Sequence, residues 1–588
     1  MKKFWIVFLV IAVVVGGGFG MMMYSFSRLN EVVAVDGGVL IWEVGGSFPE
    51  ERDDSFVGQI RGGDVMTLSD VIFSLYRAAA DERITGMILD LRAVSTDWAK
   101  IEEIQAAIEN FKAQGKPVYA YFDGAGTREY ALGVVADEIY MPPEGNLMVL
   151  GVTAQLEFMK ETLGKLGMEA DFIHVGKFKS APERMTRNEA SDANREMITA
   201  IVDDRFDKLL EMIARGRSVE KETAKSWVDR GMFDARTAID EGLVDGTLYY
   251  NDIMEEHFKD EPTTDLGDYV LDRPKPGKTD HTVSVIYATG VIMPGESRFD
   301  NFQGKIAGSE TIVTQLEDVA EDEDVDVVIL RIDSPGGSAL ASDLIWNAIV
   351  EVKKEKPVIV SMSGMAASGG YYIACLGDSI FADAGTLTGS IGVYAGKMSR
   401  TGMYEKIGIN REFITRGDNA LLFSDEGGFS DSQRALFQNQ LDGFYERFLK
   451  KVADGRKMSR DEVHAVAQGR VWTGYQGLDV GLVDELGGFK RALDSAKWTL
   501  GLKSTDKVSV QTFGDEMTPL ERMLLRSLRQ GGMFGHLGAS LAAGGPFSTE
   551  MSIIPQLIET LRNDGVLAAA ALLDGRPVAM MPYSLKVN

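Results

Sequence analysis

Cysteine and histidine are scarce in this 588-residue chain, which contains one cysteine and five histidines. Cys375 has no second cysteine to pair with, so no intramolecular disulfide can form. No group of cysteines and histidines has the spacing of a zinc site. We therefore expect neither a metal nor another cofactor, and we expect large packed cores to supply the stability.

Positive charge is also in short supply, since 61 lysines and arginines face 88 aspartates and glutamates and the net charge is -27. An acidic surface repels phosphate backbones, and no basic stripe with interleaved aromatic residues interrupts it. Nucleic acid is therefore excluded as an expected partner. With 45% hydrophobic and 25% charged residues, the composition is that of a globular protein. At roughly 150 residues per domain, the length predicts three or four units.

Long uncharged runs are absent except at the N-terminus. Residues 4–24 contain no charge, and a helix needs about 20 such residues to cross a bilayer. Two lysines precede the run and one arginine follows it, so the positive-inside rule places the N-terminus in the cytoplasm. A cleaved signal peptide with Gly18-Phe19-Gly20 as its cleavage site is the alternative, but the apolar run continues past it. We predict that residues 1–30 form a single-pass anchor in a bacterial inner membrane, with the bulk of the chain in the periplasm.

The remainder of the chain contains two copies of one pattern. The apolar run Gly86–Arg92 matches Val327–Asp333 at a spacing of 241 residues. Further matches in the same order lead to Gly242–Asp245, which matches Gly481–Asp484 at a spacing of 239. Chance does not produce that order, so we infer that two whole domains are repeated.

The boundaries follow from where the matches begin and end. We place the first repeat at residues 37–248 and the second at residues 281–502. Residues 249–280 contain closely spaced prolines and a glycine, which predict a linker without regular structure. Residues 503–588 match neither copy and form a C-terminal extension of unknown role. Within each repeat, short apolar strand runs alternate with helical stretches, which predicts an α/β fold with a largely parallel sheet.

A run of very small residues follows a predicted strand in the second repeat, and Ser368 lies in it where a helix is expected to begin. Free N–H groups at a helix N-terminus favour negative charge, which suits a nucleophilic oxygen and the oxyanion that it generates. The small neighbours would allow a substrate backbone to come close. An N-capping serine in tight strand–helix packing is the alternative.

A second glycine-rich turn, Asp333–Ser338, follows another predicted strand and opens the next helix. Two such turns at the carboxyl ends of neighbouring strands lie where α/β folds bind ligands. Together they could supply a nucleophile and an oxyanion hole. The alternative is a pair of ordinary strand-to-helix turns.

The duplication allows the two copies to be compared with each other. Ser368 aligns near Thr127 of the first copy, which lacks the flanking glycines, whereas Lys179 of the first copy aligns with Ala420 of the second. If a lysine is the base for the serine, each copy holds what the other lacks; a surface lysine is the alternative for Lys179. Lys177 lies two residues earlier on what we expect to be one extended segment, so both lysines are predicted to share a face.

At these residues the sequence resembles the signal peptide peptidase family (SppA, protease IV) in its long, double-repeat form. The most specific matches are Ser334–Ser338, Met365–Tyr371, Thr388–Val393 and Lys179-Ser180-Ala181. This family has a fold shared with Clp protease and crotonase, and it uses a Ser/Lys dyad. The resemblance implies a serine endopeptidase on two tandem domains of that fold.

The same resemblance assigns roles to individual residues. It implies Ser368 as the nucleophile, Lys179 as the general base and Ser390 as the hydroxyl that orients the lysine amine. The implied oxyanion hole consists of N–H groups of Gly336 or Gly337 and of Gly369.

The resemblance also implies a biological setting. Long members of the family are bowl-shaped tetramers that degrade signal peptides left in the membrane, so we expect signal peptides and other hydrophobic peptides as substrates, contact with the membrane and a homo-oligomer. Residues 503–588 depart from the family pattern and leave the assembly open. Two other classes of protein stay open here: a crotonase-like acyl-CoA enzyme, which would not need the serine, and an inactive membrane scaffold.

Overall fold

The computed structural model describes most of the chain, namely residues 35, 37–52, 65–272, 279–300, 304–513 and 578–580. The predicted transmembrane run and the rest of the anchor, residues 1–30, lie outside these ranges. Within them, no helix combines the length and the apolar character needed to span a membrane.

Ten strands and ten helices follow one another through the described part of the first repeat. The strands are β1 (Gly38–Gly46), β2 (Ile84–Val94), β3 (Val118–Tyr121), β4 (Gly124–Ala125), β5 (Glu138–Met141), β6 (Asn146–Met148), β7 (Glu169–Val175), β8 (Met232–Asp234), β9 (Gly246–Thr247) and β10 (Thr263–Asp265). The helices are α1 (Leu68–Ala80), α2 (Trp98–Ala113), α3 (Thr127–Gly133), α4 (Lys160–Leu166), α5 (Glu183–Thr186), α6 (Asp192–Arg217), α7 (Lys221–Arg230), α8 (Ala235–Asp240), α9 (Tyr250–His257) and α10 (Leu266–Leu271).

The second repeat and the described end of the chain continue the same alternation. The strands are β11 (Thr282–Thr289), β12 (Val291–Met293), β13 (Arg298–Asp300), β14 (Gly304–Gly308), β15 (Val327–Ser334), β16 (Gly336–Ser338), β17 (Val358–Ala367), β18 (Ser379–Ala382), β19 (Leu387–Gly389), β20 (Val393–Ser399), β21 (Val471–Thr473), β22 (Glu485–Leu486), β23 (Ser509–Thr512) and β24 (Val578–Met580). The helices are α11 (Ser309–Glu321), α12 (Ala339–Val352), α13 (Gly369–Ala374), α14 (Thr401–Lys406), α15 (Asp431–Arg456), α16 (Arg460–Val466), α17 (Gly474–Asp479) and α18 (Phe489–Thr499).

Each repeat is built on a parallel sheet, as the alternation of strands and helices predicts. In the first repeat the strand order is β10-β1-β2-β3-β5-β9. In the second, β23-β11-β15-β17-β18-β22 repeats that order, and the far end of β17 also pairs with β19. The central strands are buried on both faces, which is why β15 begins with four consecutive apolar residues, 327–330. This confirms the α/β fold and the internal duplication.

The predicted linker is wrong over much of its length. Residues 249–280 include α9, β10 and α10, and β10 pairs in parallel with β1. Helix α9 begins 239 residues before α18, which is the spacing already seen at the ends of the two copies. These elements therefore complete the first repeat. They were missed because each is at most eight residues long, too short for a periodic pattern to stand out beside the prolines.

The start of the predicted C-terminal extension also belongs to the folded core. Strand β23 pairs in parallel with β11 and occupies the sheet position that β10 has in the first repeat. The second repeat therefore continues to Thr512, ten residues beyond the predicted boundary at 502.

A third sheet joins the two repeats. Its strand order is β13-β14-β12-β16-β24-β20-β7, so β7 of the first repeat lies beside β20 of the second. These two strands pair antiparallel over seven residues, from Glu169 opposite Ser399 to Val175 opposite Val393. Backbone hydrogen bonding across the sheet therefore couples the positions of the repeats.

A buried ionic cluster also links the repeats. The guanidinium of Arg331 on β15 is fully buried and donates to Glu50 at 2.8 Å, to Glu103 at 2.5 Å and to the Ser361 hydroxyl at 2.8 Å. Burial by itself raises the pKa of Glu50, but the charges of Arg331 and Lys100 outweigh it and hold the pKa at about 2. Both carboxylates come from the first repeat and Arg331 comes from the second. Their ion pairs therefore cross the interface between the repeats.

We expect Arg331→Met to destabilise the protein by about 3–5 kcal/mol, because it removes the cation that pairs with buried Glu103 and one of the two cations beside buried Glu50. The check is thermal unfolding at neutral pH, compared with the wild-type chain and with Lys450→Met, which breaks only the exposed pair between Lys450 and Asp454. The Lys450 variant should unfold at nearly the wild-type temperature. An Arg331 variant that unfolds there too would contradict the prediction.

Candidate active site

Ser368 occupies a sharp turn between β17 and α13. Its backbone has φ 55° and ψ -110°, a positive-φ conformation that is uncommon for residues other than glycine. The Ser368 N–H donates to the Gly389 carbonyl at 2.8 Å, and the Tyr372 N–H donates to the Ser368 carbonyl at 2.8 Å. The Ser368 hydroxyl does not cap α13. The alternative of an N-capping serine is therefore wrong.

Lys179 reaches this turn from the other repeat. The pairing of β7 with β20 brings Val175 opposite Val393, only three residues from Ser390. The chain then turns at Gly176, whose φ of 113° favours glycine, and Lys179 follows. The Lys179 side chain is fully buried, although it belongs to a residue type that is rarely buried.

Three oxygen atoms surround the Lys179 amine. Its Nζ lies 2.7 Å from the Ser368 Oγ, 2.9 Å from the Ser390 carbonyl oxygen and 3.0 Å from the Ser390 Oγ. Ser390 is itself held in a positive-φ conformation, and its N–H donates to the Arg470 carbonyl at 2.7 Å. The structure thus brings together the predicted nucleophile, base and orienting hydroxyl, all fully buried.

The surroundings of the amine favour its neutral form. Burial lowers the pKa of Lys179 well below its ordinary value, and no charge among the described residues opposes that effect. An amine that is neutral near pH 7 can accept a proton, whereas a protonated one cannot. The arrangement can therefore transfer a proton from a serine hydroxyl to a lysine amine.

Lys177 does not share the environment of Lys179, so the prediction that both lysines face the same way is wrong. Residues 177 and 178 form a turn instead of continuing the extended strand. The Lys177 amine lies at the surface, 3.1 Å from Glu196. Phe178, which separates the two lysines in sequence, is buried. Of the two lysines, only Lys179 is directed into the second repeat.

The two glycine-rich turns meet beside Ser368. A Cβ atom added to Gly370 would lie 2.8 Å from the Ser334 carbonyl oxygen, so the turns are as close as their backbones allow. Gly369 directly follows Ser368, and Gly336 on β16 has a φ of 95° and donates its N–H to the Ser334 hydroxyl at 3.1 Å. The structure therefore brings Gly336, adjacent to Gly337, towards the start of α13.

The loop after α16 was missed by sequence reasoning. The Gln468 carbonyl accepts from the Phe178 N–H at 2.8 Å. A Cβ atom on Gly469 would lie 2.5 Å from the backbone nitrogen of Lys179. These contacts fix the segment that carries the lysine. Gln468-Gly469 resembles no catalytic motif, so the sequence carried no signal for it.

Thr127, the first-copy position that aligns with Ser368, and Ala420, the second-copy position that aligns with Lys179, both lie in different environments from their counterparts. The Thr127 hydroxyl donates to the Leu150 carbonyl at 2.8 Å and accepts from the Leu150 N–H at 2.9 Å, so it holds two chain segments together. Ala420 lies in an exposed turn. The described residues of each copy therefore show half of the arrangement.

Comparison with protein families gives two matches that coincide with this geometry. The sequence profile of peptidase family S49 matches the chain twice, over residues 110–261 and 350–503. The profile of Clp protease matches residues 296–381. The first S49 match contains Lys179, and the second contains Ser368 and Ser390.

Individual relatives are similar over most of the chain. The chain is 33% identical to "Serine protease SPPA, chloroplastic" from Arabidopsis thaliana, over 78% of this chain and 69% of the relative. It is 30% identical to Protease 4 from Haemophilus influenzae over 84% and 85% of the two chains, and 30% identical to Protease 4 from Salmonella typhi over 78% and 77%. The family resemblance is confirmed: the chain belongs to peptidase family S49 and is a serine protease.

Proposed function

We propose that this protease is an endopeptidase with a Ser368/Lys179 dyad that hydrolyses signal peptides and other hydrophobic peptides. The observation that carries the proposal is the 2.7 Å contact between the Ser368 Oγ and a buried amine whose pKa is lowered by burial alone. The first repeat supplies the base and the second supplies the nucleophile. The sequence predicted repeats at residues 37–248 and 281–502. With the added elements described above, we propose a first repeat of residues 37–272 and a second repeat of residues 281–512.

Ser390 positions the base. A neutral amine has two N–H donors and one lone pair. The Ser390 carbonyl and hydroxyl oxygens, at 2.9 and 3.0 Å, can accept both N–H groups. The lone pair is then left for the proton of the Ser368 hydroxyl, which is the direction of transfer that the reaction needs.

The reaction proceeds through an acyl-enzyme. The Ser368 oxygen attacks a peptide carbonyl carbon while its proton passes to the Lys179 nitrogen, and N–H groups of Gly336 or Gly337 and of Gly369 stabilise the oxyanion. Lys179 then gives the proton to the departing amine as the peptide bond breaks. A water molecule then gives a proton to the same lysine and attacks the ester carbon. The ester bond breaks, and Lys179 passes that proton to the departing Ser368 oxygen, which restores both residues. A carbonyl oxygen bound at Gly336 would replace the Ser334 hydroxyl as acceptor.

Apolar surroundings of the dyad support hydrophobic substrates. One apolar cluster contains Phe178 and Ala367, which directly precede Lys179 and Ser368 in the sequence. A second cluster contains Ala181, Val291 and Tyr394. Surroundings of this kind favour apolar peptides over polar ones, because a polar side chain placed beside them would lose its hydration without gaining hydrogen-bond partners.

Ser368→Ala should lower kcat/KM for a hydrophobic peptide by at least about 1,000-fold, because the attacking oxygen is removed. Ser363→Ala is the matched control: it removes a buried hydroxyl from β17, the strand that precedes the Ser368 turn, where the hydroxyl contacts Glu50 and not the dyad. The measurements are peptide hydrolysis and labelling by a fluorophosphonate probe. Retention of a tenth of the wild-type turnover by the Ser368 variant would refute its role.

Lys179→Arg should be as inactive as Lys179→Ala, because arginine stays protonated at any working pH and cannot act as the base. Lys177→Arg should be nearly silent, since Lys177 pairs with Glu196 at the surface. Peptide hydrolysis by the three variants is the measurement. Activity of the Lys179→Arg variant comparable to wild type would show that another group accepts the proton.

The pH profile tests the same lysine. Because burial lowers the pKa of Lys179, the amine is neutral above that lowered value and protonated below it. Activity should therefore fall on the acid side with an apparent pKa well below the ordinary lysine value of about 10.4. A decrease in activity centred on the ordinary lysine value would mean that the base is not buried.

The cellular setting is part of the proposal. We place residues 1–30 in a bacterial inner membrane as a single-pass anchor, with the remainder in the periplasm and associated as a homo-oligomer, as a tetramer by family resemblance. An exposed loop, residues 407–423, supports the oligomer, since Ile414 is 86% exposed and further large apolar residues beside it are also exposed. Side chains of this kind usually become covered by another protein surface.

Protease added to spheroplasts should digest the bulk of the chain while a cytoplasmic marker protein stays intact, because the net positive flank of residues 4–24 faces the cytoplasm. Immunoblotting with an antibody against the second repeat measures the digestion, and detergent-lysed cells provide the fully digested control. Protection of the bulk in intact spheroplasts would overturn the proposed orientation.

A further inference from the structure

A short backbone segment joins the two halves of the dyad. It consists of residues 468–470, between α16 and β21, and we call it the bridge. The carbonyl of its first residue accepts from the Phe178 N–H at 2.8 Å, and the N–H of its second residue donates to the Ile391 carbonyl at 2.8 Å. The carbonyl of its third residue accepts from the Ser390 N–H at 2.7 Å. The bridge therefore contacts both the lysine segment of the first repeat and the segment that carries Ser390 in the second.

These contacts determine where the Lys179 amine lies relative to Ser390. The Ser390 carbonyl and hydroxyl oxygens lie 2.9 and 3.0 Å from the amine, so both distances depend on the spacing between the two segments. The bridge packs directly against the lysine backbone, because a Cβ atom added to Gly469 would lie 2.5 Å from the Lys179 nitrogen. A displacement of the bridge would therefore move the amine relative to its two acceptors.

The first residue of the bridge has a strained backbone that a tyrosine hydroxyl supports. Gln468 has a φ of 55°, which residues other than glycine rarely adopt. Its N–H donates to the hydroxyl of Tyr445, on α15, at 3.2 Å, and the same hydroxyl lies 3.0 Å from the Nδ1 atom of His464, on α16. Burial raises the pKa of Tyr445 to about 12, so the hydroxyl keeps its proton at neutral pH and can donate it to the imidazole. Tyr445 therefore ties the bridge to two helices of the second repeat.

We infer that Tyr445 is a positioning residue of the dyad, because its hydroxyl holds the bridge in the place that lets Lys179 reach Ser368. The inference rests on the proposed function. Within the described chain, the hydroxyl forms its hydrogen bonds with Gln468 and His464 and not with the dyad. It therefore acts on the geometry of the base and takes no part in the chemistry.

Loss of this hydroxyl should slow the reaction without weakening substrate binding. Proton transfer needs the Lys179 amine at hydrogen-bond distance from the Ser368 hydroxyl, and a misplacement of about 1 Å can lower the rate by about 100-fold. A bridge that moves also lets water reach the amine, and a solvated amine has a pKa closer to the ordinary lysine value. Activity should then begin to fall at a higher pH than in the wild-type chain.

Tyr445→Phe tests the inference in the full-length chain. It removes the hydroxyl and keeps the ring, which packs in the core of the second repeat. We expect kcat for a short apolar peptide to fall at least about tenfold at neutral pH, with KM within about twofold of wild type. The midpoint of the decrease in activity on the acid side should move up by at least about half a pH unit.

Tyr130→Phe is the matched control for this variant. The buried Tyr130 hydroxyl donates to the Leu243 carbonyl at 2.9 Å within the first repeat. Its removal leaves that buried carbonyl without its partner, so the control should unfold at a lower temperature than wild type. It should keep the wild-type kcat and the wild-type pH profile.

A second arm displaces the bridge without touching Tyr445. Gly469→Ala places a Cβ atom against the lysine backbone and should show the same loss of kcat and the same upward shift of the pH profile. Gly481→Ala is its control, because Gly469 and Gly481 have similar φ values of 80° and 77°, whereas the atom nearest to a Cβ on Gly481 is the Met458 Sδ at 3.9 Å. The Gly481 variant should match wild type in both measurements.

The pH profile separates positioning from a general loss of folded enzyme. A Tyr445→Phe chain with the wild-type kcat would overturn the inference, and so would a lower kcat with an unchanged pH profile. If that variant does not fold, an unchanged pH profile in the Gly469→Ala chain would overturn the inference instead. Absence of Ser368-dependent hydrolysis in the wild-type chain would overturn the proposed function.

Discussion

The antiparallel pairing of β7 with β20 is the interaction on which the site depends. It joins seven residues of the first repeat to seven of the second, and the chain that leaves β7 can reach the turn at Ser390 within a few residues. A slip of this register by one residue would turn the side chains of β7 to the opposite face of the sheet. The position of the Lys179 amine relative to Ser368 therefore follows from backbone hydrogen bonds between domains, and not from packing within either one.

The interface between the repeats separates two kinds of environment. Around Arg331, carboxylates and cations are buried together and compensate one another. Around Lys179, no carboxylate of the described chain is close enough to influence the amine, and desolvation acts unopposed. A single unpaired carboxylate beside the lysine would favour the protonated form and remove the base. The charged cluster can hold the repeats together without that effect because the charges within it are paired with partners of opposite sign.

Much of this organisation was visible in the sequence, because duplication allows a chain to be compared with itself. The contrast between Ser368 and Thr127, and between Lys179 and Ala420, pointed to a site shared by both copies, and the structure brings the serine and the lysine within hydrogen-bond distance. The short elements α9, β10 and α10 could not be predicted from the sequence, because segments of three to eight residues near prolines are too short to show a periodic pattern. The opposite directions of Lys177 and Lys179 also escaped, because the turn that separates them is held by Gln468, nearly three hundred residues further along the chain.

The two copies differ in the residues they contribute to the site, and this difference affects the number of sites per chain. Identical single repeats arranged side by side could form one reaction centre at every junction, whereas here the junction facing Thr127 has a threonine occupied by the Leu150 backbone. With Ser368 as the proposed nucleophile, each chain contributes one reactive serine, so an assembly of any size has half as many reactive serines as repeats. On that proposal, the buried turn around Thr127 and the exposed loop around Ala420 are released from catalytic constraint, and their sequences need only preserve the fold.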